Sequence, residues 1–211
     1  MNVGAQTALP NPVSVTATGV IFFARHGQCR SNTEWPILDY NDGIDPLTAE
    51  GRVQARKCGQ FLTGLLPAVR YRIYSSALRR AVESAEIIAG VTKGELVRPD
   101  PRLNEYSSKS ETHPDLLSRL NAFLSEISAV PVVEGERSII VTHGHVLECL
   151  MCQALGAPIR AILKGHYGGQ AGLTSHANGG VTALYRGEIL LWNYHVHILA
   201  ETAPAATATL F

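Results

Sequence analysis

Three things are scarce in this sequence, and each scarcity excludes a class of protein. Net charge is absent: 18 Lys and Arg balance 18 Asp and Glu. No basic face for nucleic acid or for an anionic membrane is therefore implied. Long apolar runs are also absent, since none approaches the roughly 20 residues a membrane helix needs. Cysteine is sparse, with 4 in 211 residues, too few for a disulfide framework in a chain of this length. Cys149 and Cys152 form a C-x-x-C, but inside an apolar helical pattern. Thiols at i and i+3 there read as buried packing groups rather than a metal or redox pair. Residues 1–18 have no basic start followed by a continuous apolar stretch, so they do not read as an export signal. A reducing cytoplasm is the expected compartment.

What is present reads as one domain over 19–200. Disordered tails are expected at 1–18 and 201–211, where Ala, Thr and Pro dominate. Val20-Ile21-Phe22-Phe23 reads as a buried strand, and 33–47 is polar and turn-rich. Thr48 is placed to cap a helix whose apolar side is Val53, Cys58, Phe61, Leu62 and Leu65. Arg72-Ile73-Tyr74-Ser75 reads as a strand, followed by a helix over 77–89 capped by Ser75 or Ser76, with Gly90 just past its end. Leu96-Val97 is a brief strand, and Pro114 opens a helix that reaches Ala129. Ser138-Ile139-Ile140-Val141-Thr142 is a second strongly apolar strand, with a helix over 145–155 after it. A short helix over 159–163, a Gly-rich loop over 165–180 and a terminal hairpin over 181–192 complete the pattern. Strands alternating with helices predict an open, mostly parallel sheet covered on both faces.

Both apolar strands end in His-Gly: Arg25-His26-Gly27 and Thr142-His143-Gly144. Carboxyl ends of parallel strands share one edge, so His26 and His143 are expected to face one site. Arg25 offers a fork for an oxyanion, and Gly27 permits a close backbone approach to a ligand. Ser75-Ser76-Ala77-Leu78-Arg79-Arg80-Ala81 brings cations and a helix N-terminus to a third strand end. Glu105 is expected after a fourth strand.

These residues resemble the signature of the histidine phosphatase superfamily, also called the phosphoglycerate-mutase-like family. The likeness runs through Arg25-His26-Gly27, Asn32, the segment from Asp45-Pro46-Leu47-Thr48 to Gln54-Ala55, Arg80 rather than Arg79, Leu103-Asn104-Glu105, Thr142-His143-Gly144 and Asn178-Gly179-Gly180. The resemblance implies a three-layer α/β/α sandwich. It implies a metal-independent phosphatase that hydrolyses a small phosphomonoester, needs no cofactor and carries the phosphoryl group on His26. Arg25, Arg80 and His143 would surround the phosphoryl oxygens, with Asn32, Cys29, Gly144 and His145 as further phosphate or substrate contacts. Glu105 would serve as the proton donor. The expected partner is a small phosphorylated metabolite; oligomeric state is left open, with a homodimer as one arrangement.

Three positions depart from the family pattern: Cys29, Ser31 and His145. His145 has three readings, an extra phosphate donor, a second base or an exposed helix residue. Ser107, Ser108 and Lys109 are candidates for substrate contact or a solvated turn. His166 and His176 line the entrance or lie on the surface, and His195 and His197 share a strand face. The short stretch between Glu105 and His143 favours hydrolysis over phosphoryl transfer. The alternatives are a phosphomutase or phosphotransferase, and a biosynthetic enzyme or phospho-ligand-binding protein that reuses the pocket.

Overall fold

The computed structural model describes residues 19–33, 45–131, 133–156, 176–186 and 188–195. Its elements are β1 (Ile21–Arg25), a 3-10 turn (Arg30–Asn32), α1 (Ala49–Leu65), β2 (Arg70–Ser75), α2 (Arg79–Thr92), β3 (Glu95–Leu96) and a second 3-10 turn (Pro101–Leu103). Then follow α3 (His113–Ala129), β4 (Glu136–Thr142), α4 (Gly144–Leu155), β5 (Val181–Tyr185) and β6 (Glu188–Tyr194). One sheet runs in the order β3-β2-β4-β1-β5-β6. The first four strands are parallel, β5 is antiparallel to β1, and β6 is antiparallel to β5. The predicted segments at 159–163 and 165–175 and both tails lie outside the described residues.

Side-chain alternation along the strands explains the layers. On β1, Phe22 and Ala24 face one side and Phe23 the other, as a period of two requires. The first side packs Cys58 and Leu62 of α1 and Ala81, Ala85 and Ile88 of α2. The second packs Leu116, Leu120 and Phe123 of α3 and Val146, Leu147 and Leu150 of α4. Each large apolar side chain so buried contributes about 1.5–3 kcal/mol. The result is the three-layer α/β/α sandwich. No helix among the described residues is long and apolar enough to cross a membrane.

Thr48 caps α1, its hydroxyl accepting from the Gly51 amide at 3.1 Å. The buried stripe of α1 is Gly51, Ala55, Cys58, Gly59 and Leu62, whereas Val53 is 44% exposed. Small residues decide this face. A Cβ on Gly59 would stand 2.9 Å from Val91 Cβ in α2, so only glycine lets the two helices approach. The second helix also differs from expectation: it runs Arg79–Thr92, with Leu78 rather than a serine at its N-cap. Ser76 instead turns the chain ahead of the helix, its hydroxyl accepting from the Leu78 amide at 3.1 Å. The helix continues through Gly90, and Lys93 takes the left-handed turn with φ 57. Gly94 is reserved for a close approach, since a Cβ there would lie 2.8 Å from the Tyr71 carbonyl.

Gly27 also serves a close approach, but to α1 rather than to a ligand. A Cβ on Gly27 would be 2.1 Å from the Gly51 carbonyl oxygen, and one on Gly51 would be 1.9 Å from that of Gln28. The loop after β1 therefore crosses the first turn of α1 backbone to backbone. Glu105 does not stand directly at a strand end. It follows the 3-10 turn Pro101–Leu103, which Asp100 caps by accepting from the Arg102 amide at 2.8 Å.

Candidate active site

Arg25 of β1 is in register with Thr142 of β4, so the next residues, His26 and His143, leave the sheet side by side. The His26 amide donates to the Thr142 carbonyl at 3.0 Å, which extends the pairing one residue past the ladder. The two rings lie 5.0 Å apart between centroids, tilted by 58°. They are 2% and 0% exposed.

The His26 tautomer follows from its partner. Nδ1 is 2.7 Å from the Gly27 carbonyl oxygen, which can only accept, so Nδ1 carries the proton and Nε2 keeps a lone pair. Burial, then the charges of Arg25 and Arg80, push the pKa of this ring well below the usual histidine value. For His143 burial acts first, followed by His26, Arg80 and Arg25. Both imidazoles are therefore neutral near pH 7 in the unliganded site.

His143 is oriented by a chain of polar groups. The Ala77 amide donates to Asn104 Oδ1 at 2.9 Å, which identifies that atom as an acceptor. Ser76 Oγ therefore gives its proton to Asn104 Oδ1, also at 2.9 Å. Ser76 Oγ in turn accepts from His143 Nε2 at 2.8 Å. His143 Nδ1 is left buried without a hydrogen-bond partner. Thr142 Oγ1 donates to the Leu103 carbonyl at 2.8 Å, tying the end of β4 to the segment that carries Glu105.

Two guanidinium groups flank the rings. Arg80, the second residue of α2, is 2% exposed, while Arg79 points to solvent and pairs with Glu83 at 2.8 Å. Arg80 Nη1 lies 3.8 Å from Asp45 Oδ2. Burial acts to raise the Asp45 pKa, yet the hydrogen bonds from Ser31 and Cys29 and the Arg80 charge hold it below the usual carboxylate value. Arg25 donates Nη1 to the His176 carbonyl, and its Nε is buried without a partner. Burial lowers the Arg25 pKa, with Glu105 nearby opposing it. Gly144 leaves room for this guanidinium: a Cβ there would come within 3.4 Å of Arg25 Cζ.

The loop after His26 is built on Asn32. Its Oδ1 accepts from the Cys29 amide at 3.1 Å, the Cys29 thiol at 3.2 Å and Asn178 Nδ2 at 3.0 Å. These three contacts identify Oδ1 as the acceptor end, so Nδ2 is the donor end of the side chain. Cys29 differs from its expected place among phosphate contacts. Its thiol is buried against Ser31 and Asn32, and burial pushes its pKa up to about 11. It braces the loop rather than presenting a thiolate. Asn178 Nδ2 also donates to the His26 carbonyl at 3.1 Å, so the turn before β5 holds the same loop from the other side.

Glu105 is half-buried, its Oε1 accepting from the Tyr106 amide at 2.9 Å. His145 is not simply exposed; its Nε2 meets His113 Nε2 at 3.0 Å, and both rings stack on Tyr106. Residues 107–110 form a surface turn. His176 is buried rather than at the surface, with Nε2 2.8 Å from Thr182 Oγ1 and its ring edge-on to Trp192. His195 pairs through Nδ1 with its local Asn193 carbonyl at 2.8 Å, while His166 and His197 lie outside the described residues. A cavity of about 830 Å³ opens at the other ends of β1 and β4, beside Val20, Ile21, Arg137 and Ser138, and is separate from this site.

Asp45, Asn104, Thr142 and Asn178 carry no role in the sequence reading, and Ser76 only that of a helix cap. Each stands inside a motif already singled out there. The available signal was a short polar side chain next to a chemically obvious one. Taken together, a neutral imidazole with a free Nε2 among fixed positive charges can attack an electrophile that bears anionic oxygens.

Comparison with known proteins agrees with this geometry. Residues 21–110 and 105–183 match the profile of the histidine phosphatase superfamily (branch 1). A "Probable phosphoglycerate mutase GpmB" of Enterobacter sp. (strain 638) is 28% identical over 173 residues, covering 67% of this chain and 77% of that protein. Bacillus stearothermophilus YhfR superposes with a TM-score of 0.65 at 24% identity, over 85% of this chain and 98% of that one. A mycobacterial glucosyl-3-phosphoglycerate phosphatase in complex with VO3 gives a TM-score of 0.66 at 20% identity, over 84% and 100%. The structural likenesses establish the fold, and the profile match establishes the family: this chain belongs to the histidine phosphatase superfamily.

Proposed function

We propose that the protein is a phosphomonoesterase that hydrolyses a small phosphorylated metabolite through a phosphohistidine on His26. The His26 ring carries this reading. Its Nδ1 proton is held by the Gly27 carbonyl, so the Nε2 lone pair is free to attack phosphorus. The N–P bond forms as the P–O bond to the leaving alkoxide breaks, and Glu105 protonates that alkoxide. Glu105 then takes a proton from water, which attacks phosphorus, breaks the N–P bond and releases inorganic phosphate. Arg25, Arg80 and Asn32 Nδ2 receive the phosphoryl oxygens, where each charge-assisted hydrogen bond contributes roughly 1.5–3 kcal/mol. His143 gives its Nε2 proton to Ser76, so it donates from Nδ1 only as an imidazolium. A bound dianion supplies the charge that favours this form, and phosphate binding is expected to take up a proton.

Hydrolysis is favoured over transfer because the chain from Glu105 to His143 holds one helix, α3, and then β4. A stretch that short has little room for an insertion that would exclude water from the site, as a transferase needs. The second reading is a phosphomutase, supported by the name of the Enterobacter relative. Phosphate release from a panel of phosphoesters in the presence of EDTA, with isomer formation monitored in parallel, separates the two. Acid-labile phosphoprotein trapped in the wild type and missing from His26→Ala is the expected result. Full turnover by that variant sinks the covalent route. Isomer without free phosphate moves the assignment to the mutase, and neither product moves it to a protein that reuses the pocket for other chemistry.

A further inference from the structure

A second histidine pair lies beside the first site, between α3 and α4. His113 opens α3, and His145 and Cys149 sit four residues apart on α4, on one helical face. The two Nε2 atoms are 3.0 Å apart. Cys149 Sγ joins them, and all three ligand atoms lie within 4.8 Å of one another. Tyr106 stacks on both rings, with interplanar angles of 12° and 23°, and fixes their planes. Glu148 is 3% exposed, with Oε2 3.5 Å from His145 Nδ1. That carboxylate favours a proton on Nδ1 and leaves the Nε2 lone pair pointing at the cluster, an arrangement found behind metal-bound histidines.

We propose that His113, His145 and Cys149 form a binding site for a thiophilic divalent ion of the zinc class, with a fourth position left for water or another ligand. Two imidazoles and one thiolate are a donor set that selects zinc-like ions over magnesium or calcium. A tetrahedral zinc needs N···N and N···S separations of about 3.3–3.6 Å. The nitrogens, 3.0 Å apart, need to separate by only a few tenths of an ångström, and the sulfur starts no more than 4.8 Å from them. Charge supports the assignment as well. The ion's two positive charges meet one thiolate and the buried Glu148 carboxylate, whereas a protonated histidine pair would repel itself. Binding forms the metal–sulfur bond and releases the thiol proton to solvent. The proton shared between the two Nε2 atoms moves to His113 Nδ1, and the net release is one proton per ion.

The site is distinct from the His26 pocket, and its occupancy is readable without turnover. The test uses the full-length protein, stripped with EDTA and desalted. Zn²⁺ is titrated against a chromophoric chelator, Co²⁺ is followed by absorbance and proton release is recorded in weak buffer. One equivalent of Zn²⁺, a thiolate-to-Co²⁺ charge-transfer band and one proton per ion are expected. His113→Gln and Cys149→Ser should each weaken binding by more than ~100-fold, and Glu148→Gln by about 10- to 100-fold. Zinc should raise the unfolding temperature of the wild type and leave that of the two ligand variants unchanged. His113 is partly exposed at a helix start, so its variant keeps the test valid if the buried Cys149 variant fails to fold. Unchanged affinity in His113→Gln, a cobalt spectrum without sulfur ligation or no binding tighter than the chelator's weak limit would overturn the proposal. Loss of zinc affinity in His26→Ala would place the ion in the other pocket and overturn it equally.

Discussion

Among the described residues two histidine pairs have nearly equal spacing, 5.0 Å between His26 and His143 and 5.2 Å between His113 and His145. They are surrounded by opposite chemistry. The inner pair is buried at the ends of two adjacent parallel strands, with Arg25 and Arg80 against it. The outer pair lies between two helices, with a thiol, a buried carboxylate and a tyrosine ring around it. Burial keeps the inner rings and His113 neutral. The neighbours then decide what a neutral imidazole serves: an anion where the fixed charges are positive, a cation where they are negative or can become so.

The largest effect that separates the pairs is expected from His26→Ala, which should lower kcat/KM by at least ~10⁴-fold because it removes the proposed phosphoryl acceptor. Zinc affinity should not change. Residual activity within tenfold of wild type would erase the distinction between the pairs. Next is Glu105→Gln, expected to cost about 10²–10⁴-fold in kcat on an alkyl phosphate. The loss should be far smaller with a nitrophenyl ester, whose leaving group needs no proton. Equal losses on both substrates would remove Glu105 as the acid.

Acidification is expected to have the next largest effect, on stability. His26, His143 and His176 all have lowered pKa values in the folded state, that of His176 about 3. Above the unfolded value of 6.5 they cost nothing. Below it the unfolded chain binds protons that the folded chain does not, so stability falls as pH drops. Three such groups amount to about 3 kcal/mol between pH 6.5 and 5.5. Urea midpoints measured across that interval check this, and a flat profile would mean the rings are charged in the fold. The smallest effect is expected from Asp45→Asn, which leaves Arg80 in place but unsteadied. About tenfold in kcat/KM is expected, the equivalent of one hydrogen bond to a charged group. Rescue by Asp45→Glu would separate a charge requirement from packing.

The inner pair was legible in the sequence because each histidine follows an apolar strand directly, and a parallel sheet sends both ends to one edge. Arg80 could be told from Arg79 by its place in a motif; Arg79 in fact faces solvent. The outer pair was not legible. His113 and His145 are 32 residues apart, and the C-x-x-C drew attention to Cys152 where the cluster uses His145 and Cys149, one helical turn apart. The Val53 and Gly90 expectations failed for a related reason. Periodicity ranks large apolar residues, but α1 meets α2 at Gly59, and a helix end depends on which glycine is needed elsewhere. Asp45 was named in a motif without a partner, because the Arg80 it steadies lies across the fold.

By itself the sequence determined the alternation of strands and helices, the mostly parallel sheet and the residue types that gather at its carboxyl edge. These follow from local pattern, since apolar periodicity and chain direction are properties of neighbouring residues. Tertiary structure alone decided the protonation and the company of each histidine. The Gly27 carbonyl fixes the His26 proton, the Ser76–Asn104 pair fixes that of His143, and the docking of α3 on α4 brings His113 to His145 and Cys149. Those arrangements depend on burial and on groups remote in the chain, and a side chain's charge and partner are set by the surroundings the fold supplies.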